Sequence, residues 1–312
     1  MTELPRATLG RTGLEVTKLG YGAMELRGGA GAGRAAGAGT AGEILNAVLD
    51  AGINFIDTSP DYGVSEELIG EHIAQRRGEF FLASKCGCPV NQPPPPAGER
   101  PAHVFTPENI RAGVEQSLRR MRTDHLDLVQ FHISPSRDML EANGAVEALT
   151  ELRDEGKTRF IGMSGTLPHL TDHIAMGVFD AFQIPYSALE REHEGAITDA
   201  ASAGSGTIIR GGVARGAPAV DDETLARYPD FWRPMVEARR DQWQHADLDD
   251  LLDGMTRMEF MLRFTLSHPD MHTTIVGTAN LEHLAANVAV AQKGVLAPDV
   301  YETAKQRLAA AS

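Results

Sequence analysis

The sequence has few cysteines and an excess of negative charge. Its two cysteines, Cys86 and Cys88, provide no disulfide framework and fit a reducing, cytoplasmic setting. A Cys-x-Cys pair is also half of a metal site, but no second ligand pair stands beside it in the sequence, so no metal is expected. The net charge of −14 argues against a nucleic-acid partner, because phosphate binding needs a basic surface.

Long apolar segments are missing as well. No apolar run reaches the roughly 18 residues of a membrane span, and the segment 1–10 lacks the apolar centre of a signal peptide. The remaining composition, 42% hydrophobic and 23% charged residues, is globular. We therefore expect a cytoplasmic protein with a small-molecule partner, no nucleic-acid or membrane partner, and an oligomeric state that the sequence leaves open.

Strand-like and helix-like segments alternate along the 312 residues. After a short hairpin over Arg6–Leu19, eight apolar runs suggest strands, and helical spacing clearly follows seven of them. Such alternation implies a parallel sheet, and eight units in this length favour one closed (β/α)8 TIM barrel of the α/β class over residues 1–312. The runs are Thr17–Gly22, Ile53–Ile56, Phe80–Ala83, Leu126–Val129, Phe160–Met163, Ala181–Ile184, Thr207–Ile209 and Thr273–Val276.

Three segments interrupt this alternation. Gly28–Gly42 is rich in glycine and alanine and is expected to be a mobile loop. Cys86–Ala102 contains four consecutive prolines, which exclude regular structure. Gly216–Gly254 is expected to be a long irregular segment that carries Trp232 and Trp243. The last two segments follow strand ends, so they should lie over the catalytic face and shape a substrate pocket, with a floppy insertion as the alternative.

Four residues that can share protons stand just past the ends of three successive strand-like runs: Asp57, Tyr62, Lys85 and His132. In a parallel barrel these ends form the catalytic face. Taken singly, each residue has a simpler explanation in packing or structure, but their joint placement predicts an enzyme that protonates an oxygen.

The reduction of a carbonyl group by a hydride suits these four residues. Tyr62 can protonate the alkoxide, although the unperturbed pKa of a tyrosine is about 10. The ammonium of Lys85 is expected to lower this pKa, and Asp57 to hold Lys85 by an ion pair. His132 can donate a hydrogen bond to the carbonyl oxygen and polarise it.

The same segments resemble signature blocks of the aldo-keto reductases, and the resemblance extends over residues 6–308. It implies a (β/α)8 barrel and an oxidoreductase that interconverts an aldehyde or ketone and an alcohol. It also implies an NADP(H) or NAD(H) cofactor extended across the barrel mouth, and the four catalytic roles given above. The matching blocks are Gly52–Gly63, Ser65–Gly70, Leu82–Lys85, Leu126–His132, Gly156–Ser164 and Ile275–Asn287.

The resemblance also implies which residues contact the nicotinamide end of the cofactor. One set matches residues beside the ring, and Ser164 and Gln183 match those that hydrogen-bond the carboxamide. Gly165 replaces the family's usual asparagine, so one amide contact is missing. Arg210 aligns with the aromatic residue that stacks on the nicotinamide, so we expect a cofactor or substrate contact from it, with a local ion pair as the alternative. The first set is Gly22, Ala23, Met24 and Asp57.

At the adenosine end, the resemblance implies contacts from Gly277, Thr278, His283 and Asn287. The family commonly places a lysine and an arginine around the 2′-phosphate of NADPH, and this chain has Gly277 and His283 instead. Thr278 and backbone N–H groups at the start of the next helix offer other phosphate donors. We expect NADP(H), with NAD(H) or dual use as the alternative.

Two other functions stay open at this point. One is an NAD-dependent sugar or alcohol dehydrogenase that works mainly in oxidation. The other is a regulatory barrel that binds the cofactor and turns over slowly. The complete set of four proton-sharing residues favours an active enzyme over the regulatory barrel.

Overall fold

The computed structural model describes residues 3–28, 38–90, 102–228, 230 and 232–311. Eight parallel strands close into a barrel in chain order, and the last strand pairs with both the first barrel strand and the strand that precedes it in the sequence. The predicted TIM barrel is therefore confirmed. Its strands are β3 (Leu19–Gly22), β4 (Phe55–Asp57), β5 (Phe81–Cys86), β6 (Leu126–Phe131), β7 (Thr158–Ser164), β8 (Ala181–Pro185), β9 (Gly206–Arg210) and β10 (Thr273–Val276).

The predicted N-terminal hairpin is also present, as the antiparallel pair β1 (Arg6–Thr8) and β2 (Glu15–Thr17). A 3-10 turn over Gly10–Thr12 joins the two strands. Leu9, in this connection, is fully buried and packs with the side chains at the starts of the barrel strands, such as Phe55 and Ile208. The hairpin thus closes the N-terminal end of the barrel and leaves its C-terminal end for function.

Helices surround the barrel, and α3 (Pro107–Met121) shows why the sequence forms them. Thr106 caps its first turn by accepting a hydrogen bond from the N–H of Asn109, and the buried Ile110, Val114 and Met121 lie on one face at helical spacing. The helices are α1 (Ala38–Asp50), α2 (Ser65–His72), α3 (Pro107–Met121), α4 (Arg137–Ala142), α5 (Ala145–Asp154), α6 (Leu170–Met176), α7 (Glu194–Ser202), α8 (Asp222–Ala226), α9 (Arg233–His245), α10 (Arg257–Leu266), α11 (Leu281–Lys293) and α12 (Pro298–Ala310).

The structure describes the first two of the three interrupting segments only in part. The segment Gly28–Gly42 was expected to be a loop, but α1 already begins at Ala38. Residues 29–37 lie outside the described residues. In Cys86–Ala102, Cys86 still belongs to β5, and residues 87–90 are irregular as predicted. The four prolines fall within 91–101, which is also outside the described residues.

The prediction of a long irregular segment at Gly216–Gly254 is wrong. It contains α8, α9 and a 3-10 helix at Leu248–Leu251. Val236 and Trp243 are seven residues apart in α9 and both are buried, so the helix has an apolar face. Trp243 packs edge-on against Phe260 and donates from Nε1 to Asp249 Oδ1 at 2.9 Å. Its role is therefore in the core and not in a substrate pocket.

Strand ends shift relative to the sequence prediction. Asp57 is the last residue of β4, and Lys85 lies inside β5, so neither stands past the end of its strand. Tyr62 lies in the loop after β4, and His132 directly follows β6. All four still lie at the C-terminal face of the barrel. Among the described residues, no helix is both long enough and apolar enough to cross a membrane.

Candidate active site

Asp57 and Lys85 form an ion pair inside the mouth of the barrel. Lys85 Nζ lies 2.5 Å from Asp57 Oδ1 and donates a second hydrogen bond to the carbonyl oxygen of Thr58 at 3.0 Å. Adjacent strands β4 and β5 present the two side chains, and water reaches at most 1% of either. The pairing expected from the sequence is therefore present in the structure.

Two glutamines donate hydrogen bonds to the same carboxylate oxygen of Asp57. Gln130 donates from Nε2 to Asp57 Oδ1 at 3.0 Å, and Gln183 donates to it at 2.8 Å. Gln183 Oε1 in turn accepts from the hydroxyl of Ser164 at 3.2 Å. Two predicted carboxamide contacts, Ser164 and Gln183, are thus joined to Asp57 by hydrogen bonds. This network fixes the carboxylate relative to β6, β7 and β8.

Gln130 is a site residue that the sequence interpretation missed. It lies in β6, two residues before His132, so the two share the inward direction of the strand. The signal in the sequence that could have identified it is a polar residue at an inward-facing position of a buried strand. Its Oε1 is buried and has no hydrogen-bond partner among the described residues. An unpartnered buried oxygen of this kind is suited to a donor from a bound molecule.

Tyr62 lies between a histidine and an arginine. Its ring meets the ring of His132 edge-on, with 6.3 Å between the centroids. The guanidinium carbon of Arg27 lies 5.7 Å from the centroid of the Tyr62 ring. The backbone N–H of Tyr62 donates to the carbonyl oxygen of Ser59 at 3.0 Å, which fixes the turn after β4. The phenol is thereby held next to His132.

The pKa of Tyr62 moves in the direction opposite to the one expected from the sequence. Burial raises the pKa, Asp57 raises it further, and the charges of Arg210 and Arg27 oppose the rise. Lys85 does not produce the expected lowering, because its charge is matched by Asp57 at 2.5 Å. Tyr62 is therefore a protonated phenol at neutral pH in this structure.

His132 is held as a neutral imidazole. Burial lowers its pKa, the charge of Lys85 lowers it too, and a hydrogen bond with Asp61 opposes both. Burial also acts to raise the pKa of Asp61, but hydrogen bonds from His103 and His132 outweigh it and hold this pKa below its usual range. A neutral imidazole carries one N–H, so His132 can polarise a carbonyl by donation only when that proton is on Nε2 and not on the Nδ1 that faces Asp61.

Four potential metal ligands converge beside His132: Asp61, Cys88, His103 and His132, here called the Cys88 cluster. Cys88 Sγ lies 3.5 Å from His132 Nδ1 and 3.6 Å from His103 Nε2. The two imidazole nitrogens are 3.1 Å apart. The sequence showed no second ligand pair beside Cys88, and the fold places three potential ligands there, one from its own loop and two from the neighbouring loops. Cys86 lies in the core and is not part of the cluster.

Arg210 is the last residue of β9 and is partly buried. Burial lowers its pKa, while the charges of Glu190 and Asp57 raise it. The nearest candidate for an ion pair, Glu190, binds Arg239 instead. Within the part of the chain that the structure describes, no carboxylate lies within the 4.0 Å that defines an ion pair with Arg210. Among those residues, the alternative of a local ion pair is therefore not realised.

The first-strand loop and the loop after β10 meet through their backbones. Gly22 ends β3, and Ala23 and Met24 begin a 3-10 helix at Ala23–Leu26. A Cβ atom on Gly277 would lie 2.6 Å from the carbonyl oxygen of Gly22. A side chain at position 277 would therefore force the backbone to move. A lysine at position 277 would not fit without that movement.

A side chain at position 165 would also meet a steric obstacle. Its N–H donates to the carbonyl oxygen of Gln183 at 3.0 Å, which fixes its backbone beside β8. A Cβ atom at this position would lie 2.9 Å from Leu170 Cδ1. The family's asparagine would therefore displace the side chain of Leu170 at the start of α6.

The predicted adenosine contacts gather at the start of α11. Thr278 is nearly buried, and its carbonyl oxygen accepts from the hydroxyl of Tyr21 at 2.8 Å. His283 is exposed, and Asn287 follows one turn later on the helix. The N–H groups of Glu282 and His283 donate to Asn280 Oδ1 at 2.7 and 3.2 Å. These two backbone donors, expected to be open to a phosphate, are therefore taken by the cap.

Comparisons with known proteins agree with this geometry. A model of the aldo/keto reductase family matches residues 18–308. The L-galactose dehydrogenase of Arabidopsis thaliana is 27% identical over 306 residues, which are 93% of this chain and 88% of that protein. The NADH-specific methylglyoxal reductase of Escherichia coli (strain K12) is 32% identical over 164 residues, 48% of this chain and 50% of that protein.

A solved structure is similar as well. A holo aldo-keto reductase from Bacillus halodurans superposes with a TM-score of 0.81 at 25% identity, over 98% of this chain and 96% of that one. With the family model matched over nearly the whole length, this chain belongs to the aldo/keto reductase family. Members are oxidoreductases that interconvert carbonyl compounds and alcohols with a nicotinamide cofactor.

Proposed function

We propose that this protein interconverts an aldehyde or ketone and an alcohol by hydride transfer, with Tyr62 as the proton donor. The observation that carries the proposal is the buried Asp57–Lys85 pair at 2.5 Å, next to Tyr62 and His132 at the C-terminal face of the barrel. Catalytic groups of TIM-barrel enzymes come from the ends of several strands at this face.

Tyr62 and His132 divide the work on the oxygen atom of the substrate. His132, as a neutral imidazole, donates a hydrogen bond that polarises the carbonyl group. When the carbon receives a hydride, the oxygen becomes an alkoxide and takes the phenolic proton of Tyr62. The tyrosinate that remains is stabilised by the nearby charges of Arg210 and Arg27 until water returns a proton. In oxidation the same steps run in reverse.

The residues at the barrel mouth fit a nicotinamide dinucleotide. Bound there, the cofactor would supply or accept the hydride. Ser164 and Gln183 would hold the carboxamide. Gly22 and Gly277 have no side chains, which leaves room for the cofactor to approach the backbone closely. The unpartnered Oε1 of Gln130 offers one more acceptor at the same place. Gly165, Ala23 and Met24 would line the ring; Thr278, His283 and Asn287 would line the adenosine.

We propose NADP(H) as the preferred cofactor, with NAD(H) as the second candidate. Thr278 and the exposed His283 support the 2′-phosphate, since His283 is positively charged when protonated. The absence of a fixed cation at 277 and 283, together with the capping of two helix N–H groups by Asn280, supports NAD(H). Initial rates with NADPH and NADH at equal concentrations decide between them.

Arg210 points to the class of substrate. Its guanidinium has no carboxylate partner among the described residues, although it lies near Tyr62 and Asp57. We propose that it contacts an anionic or strongly polar group of the substrate, or the pyrophosphate of the cofactor. Arg210→Met should raise KM for a substrate with a carboxylate more than for its neutral analogue. An equal rise in KM for both would assign Arg210 to the cofactor instead.

The test of the main proposal uses the purified full chain with NADPH or NADH and a panel of aldehydes, ketones and keto acids. Loss of cofactor absorbance upon addition of a carbonyl compound is the expected result. Tyr62→Phe is the control, and it should bind cofactor, as seen by quenching of protein fluorescence, with kcat lowered by about 100- to 10,000-fold. Cofactor binding with no turnover on any member of the panel, or of the alcohols below, would favour the regulatory barrel.

A sugar or alcohol dehydrogenase is the second candidate function. It is favoured by the similarity to a plant L-galactose dehydrogenase over 93% of this chain. The discriminating measurement is the oxidation of aldoses and simple alcohols with NAD⁺, compared with the reduction of the corresponding carbonyl compounds. A kcat/KM that is higher in oxidation at neutral pH would move the assignment to this candidate.

A further inference from the structure

The Cys88 cluster brings together ligands from three neighbouring loops of the barrel mouth. Asp61 comes from the loop after β4, Cys88 and His103 from the segment after β5, and His132 from the end of β6. Cys88 is buried and the other three are partly buried. Cysteine, histidine and aspartate are the residue types that bind zinc, and four protein ligands make a structural zinc site.

Five of the six distances between the ligand atoms agree with a tetrahedron around one ion, and the sixth, from Cys88 Sγ to the Asp61 carboxylate, is at most 4.8 Å. Zinc bonds of about 2.0 Å to nitrogen or oxygen and about 2.3 Å to sulfur place tetrahedral ligands about 3.3 Å apart, or about 3.5 Å where one is sulfur. The two imidazole nitrogens are 3.1 Å apart, and Asp61 Oδ2 lies 3.1 Å from His103 Nε2 and 3.3 Å from His132 Nδ1. Cys88 Sγ lies 3.5 and 3.6 Å from the same nitrogens.

Hydrogen bonds alone do not account for this arrangement. His103 Nε2, His132 Nδ1 and Asp61 Oδ2 form a triangle with three edges of hydrogen-bond length. Each imidazole nitrogen carries at most one proton, and a carboxylate only accepts. One proton cannot point along two edges, so at least one edge joins atoms with no well-directed hydrogen bond between them. A cation in the centre accepts a lone pair from all of them at once.

We propose that Asp61, Cys88, His103 and His132 bind one zinc ion. The thiolate and the carboxylate together balance the charge of Zn²⁺, so the partly buried site is neutral. The mixture of sulfur, nitrogen and oxygen in a tetrahedron selects zinc over the hard cations Mg²⁺ and Ca²⁺, which need six or more oxygen ligands. All four positions are filled by the protein, so the ion is structural and does not itself bind substrate.

The zinc ion also sets the state of His132, in a way that rests on the proposed function. Coordination through Nδ1 requires a lone pair there, so the single proton of the neutral ring lies on Nε2. His132 is thereby fixed as a donor, as the polarisation of a carbonyl requires. The ion acts on catalysis through His132 and ties the loops after β4 and β5 to the end of β6.

The first test measures metal content. Untagged full-length protein is incubated with zinc, dialysed, and analysed by mass spectrometry of the metals. The expected result is one zinc per chain, and its loss in both Cys88→Ala and His103→Asn. Cys86→Ala is the matched control, because it removes an equally buried thiol two residues away that lies outside the cluster. It should keep the full zinc content. Wild-type protein without zinc, or Cys88→Ala with wild-type content, overturns the proposal.

The second test reports geometry without using activity. Cobalt(II) in place of zinc should give the intense visible bands of a tetrahedral site and a near-ultraviolet thiolate-to-cobalt band. Cys88→Ala should lose the thiolate band, and Cys86→Ala should keep it. Weak octahedral bands in the wild type would overturn the site. Protein that binds zinc as expected but reduces no carbonyl compound would contradict the proposed function and leave the zinc site intact.

Discussion

At the scale of single residues, the charge that was expected to lower the pKa of Tyr62, that of Lys85, is used in another contact. Lys85 is committed to Asp57, and the cations that act on Tyr62 are Arg210 and Arg27. Burial raises the pKa of Tyr62, so the phenol holds its proton until an alkoxide of higher basicity forms beside it. The Asp57–Lys85 pair and the Tyr62–His132 contact join residues that the sequence placed together. Which charges act on Tyr62 could not be predicted, because that depends on distances among side chains.

The first prediction concerns Tyr62→Phe. The variant keeps the ring and loses the proton donor, so kcat should fall by about 100- to 10,000-fold. Cofactor affinity should stay close to the parental value, because the ring still packs beside His132. Steady-state kinetics and a cofactor titration measure the two quantities. Wild-type turnover in Tyr62→Phe would rule out this residue as the acid.

The second prediction concerns the Asp57–Lys85 pair. Lys85→Met should lower kcat by about 100-fold or more, because it leaves the carboxylate of Asp57 unpaired, and that negative charge opposes formation of the Tyr62 tyrosinate. Asp57→Asn should cost less, since Gln130 and Gln183 still hold position 57. Rates of both variants are compared at neutral pH.

Folding is the necessary control for these variants. An unpaired charge buried at either position destabilises a protein by about 3–5 kcal/mol. The double variant Asp57→Asn with Lys85→Met removes both charges and should recover part of the lost stability in urea unfolding, with activity still low. Near wild-type activity in Lys85→Met would contradict the role given to this lysine.

At the scale of elements, the outcome of the sequence interpretation depended on the kind of segment. The barrel strands and α3 were predictable because their apolar periodicity matches their environment. The segment around α9 was misjudged because its apolar positions, Val236 and Trp243, are widely spaced among charged residues. The Cys88 cluster was missed because its ligands are distant in sequence and meet only when the barrel closes.

The third prediction belongs to α11. His283→Arg restores a fixed cation at the start of this helix, next to the predicted 2′-phosphate. One charge-assisted hydrogen bond contributes about 1.5–3 kcal/mol, so NADPH should bind about 10- to 100-fold more tightly, with little change for NADH. Ala289→Arg is the control, because it adds the same charge at an exposed position further along the helix. Equal effects of both variants would mean that the phosphate does not lie beside residue 283.

At the scale of the whole molecule, the two ends of the barrel have different roles: one carries the candidate active site and the other contributes to stability. The C-terminal end carries the ion pair, Tyr62 and the Cys88 cluster, and the N-terminal end is sealed by the hairpin. The sequence predicted both the barrel and the hairpin, since each has a local pattern. It did not predict how the hairpin seals the barrel, because Leu9 meets its partners, such as Phe55 and Ile208, only in the closed fold.

The fourth prediction tests this separation with Leu9→Ala. Leu9 is fully buried, and Gly206 at the start of β9 makes room for it: a Cβ atom there would lie 2.6 Å from Leu9 Cγ. The truncation leaves a cavity at the closed end and should lower the free energy of unfolding by about 2–5 kcal/mol. Denaturant unfolding measures this change, with Val295→Ala, at a half-exposed position, as a control that should have little effect.

The same variant should leave kcat and KM unchanged at temperatures well below its unfolding midpoint. The reason is that Leu9 packs at the starts of the strands, whereas the predicted catalytic residues lie at or beyond their C-terminal ends. A loss of kcat in folded Leu9→Ala protein would show that the closed end of the barrel is coupled to Asp57 and Lys85. The hairpin would then position the active site as well as stabilise the fold.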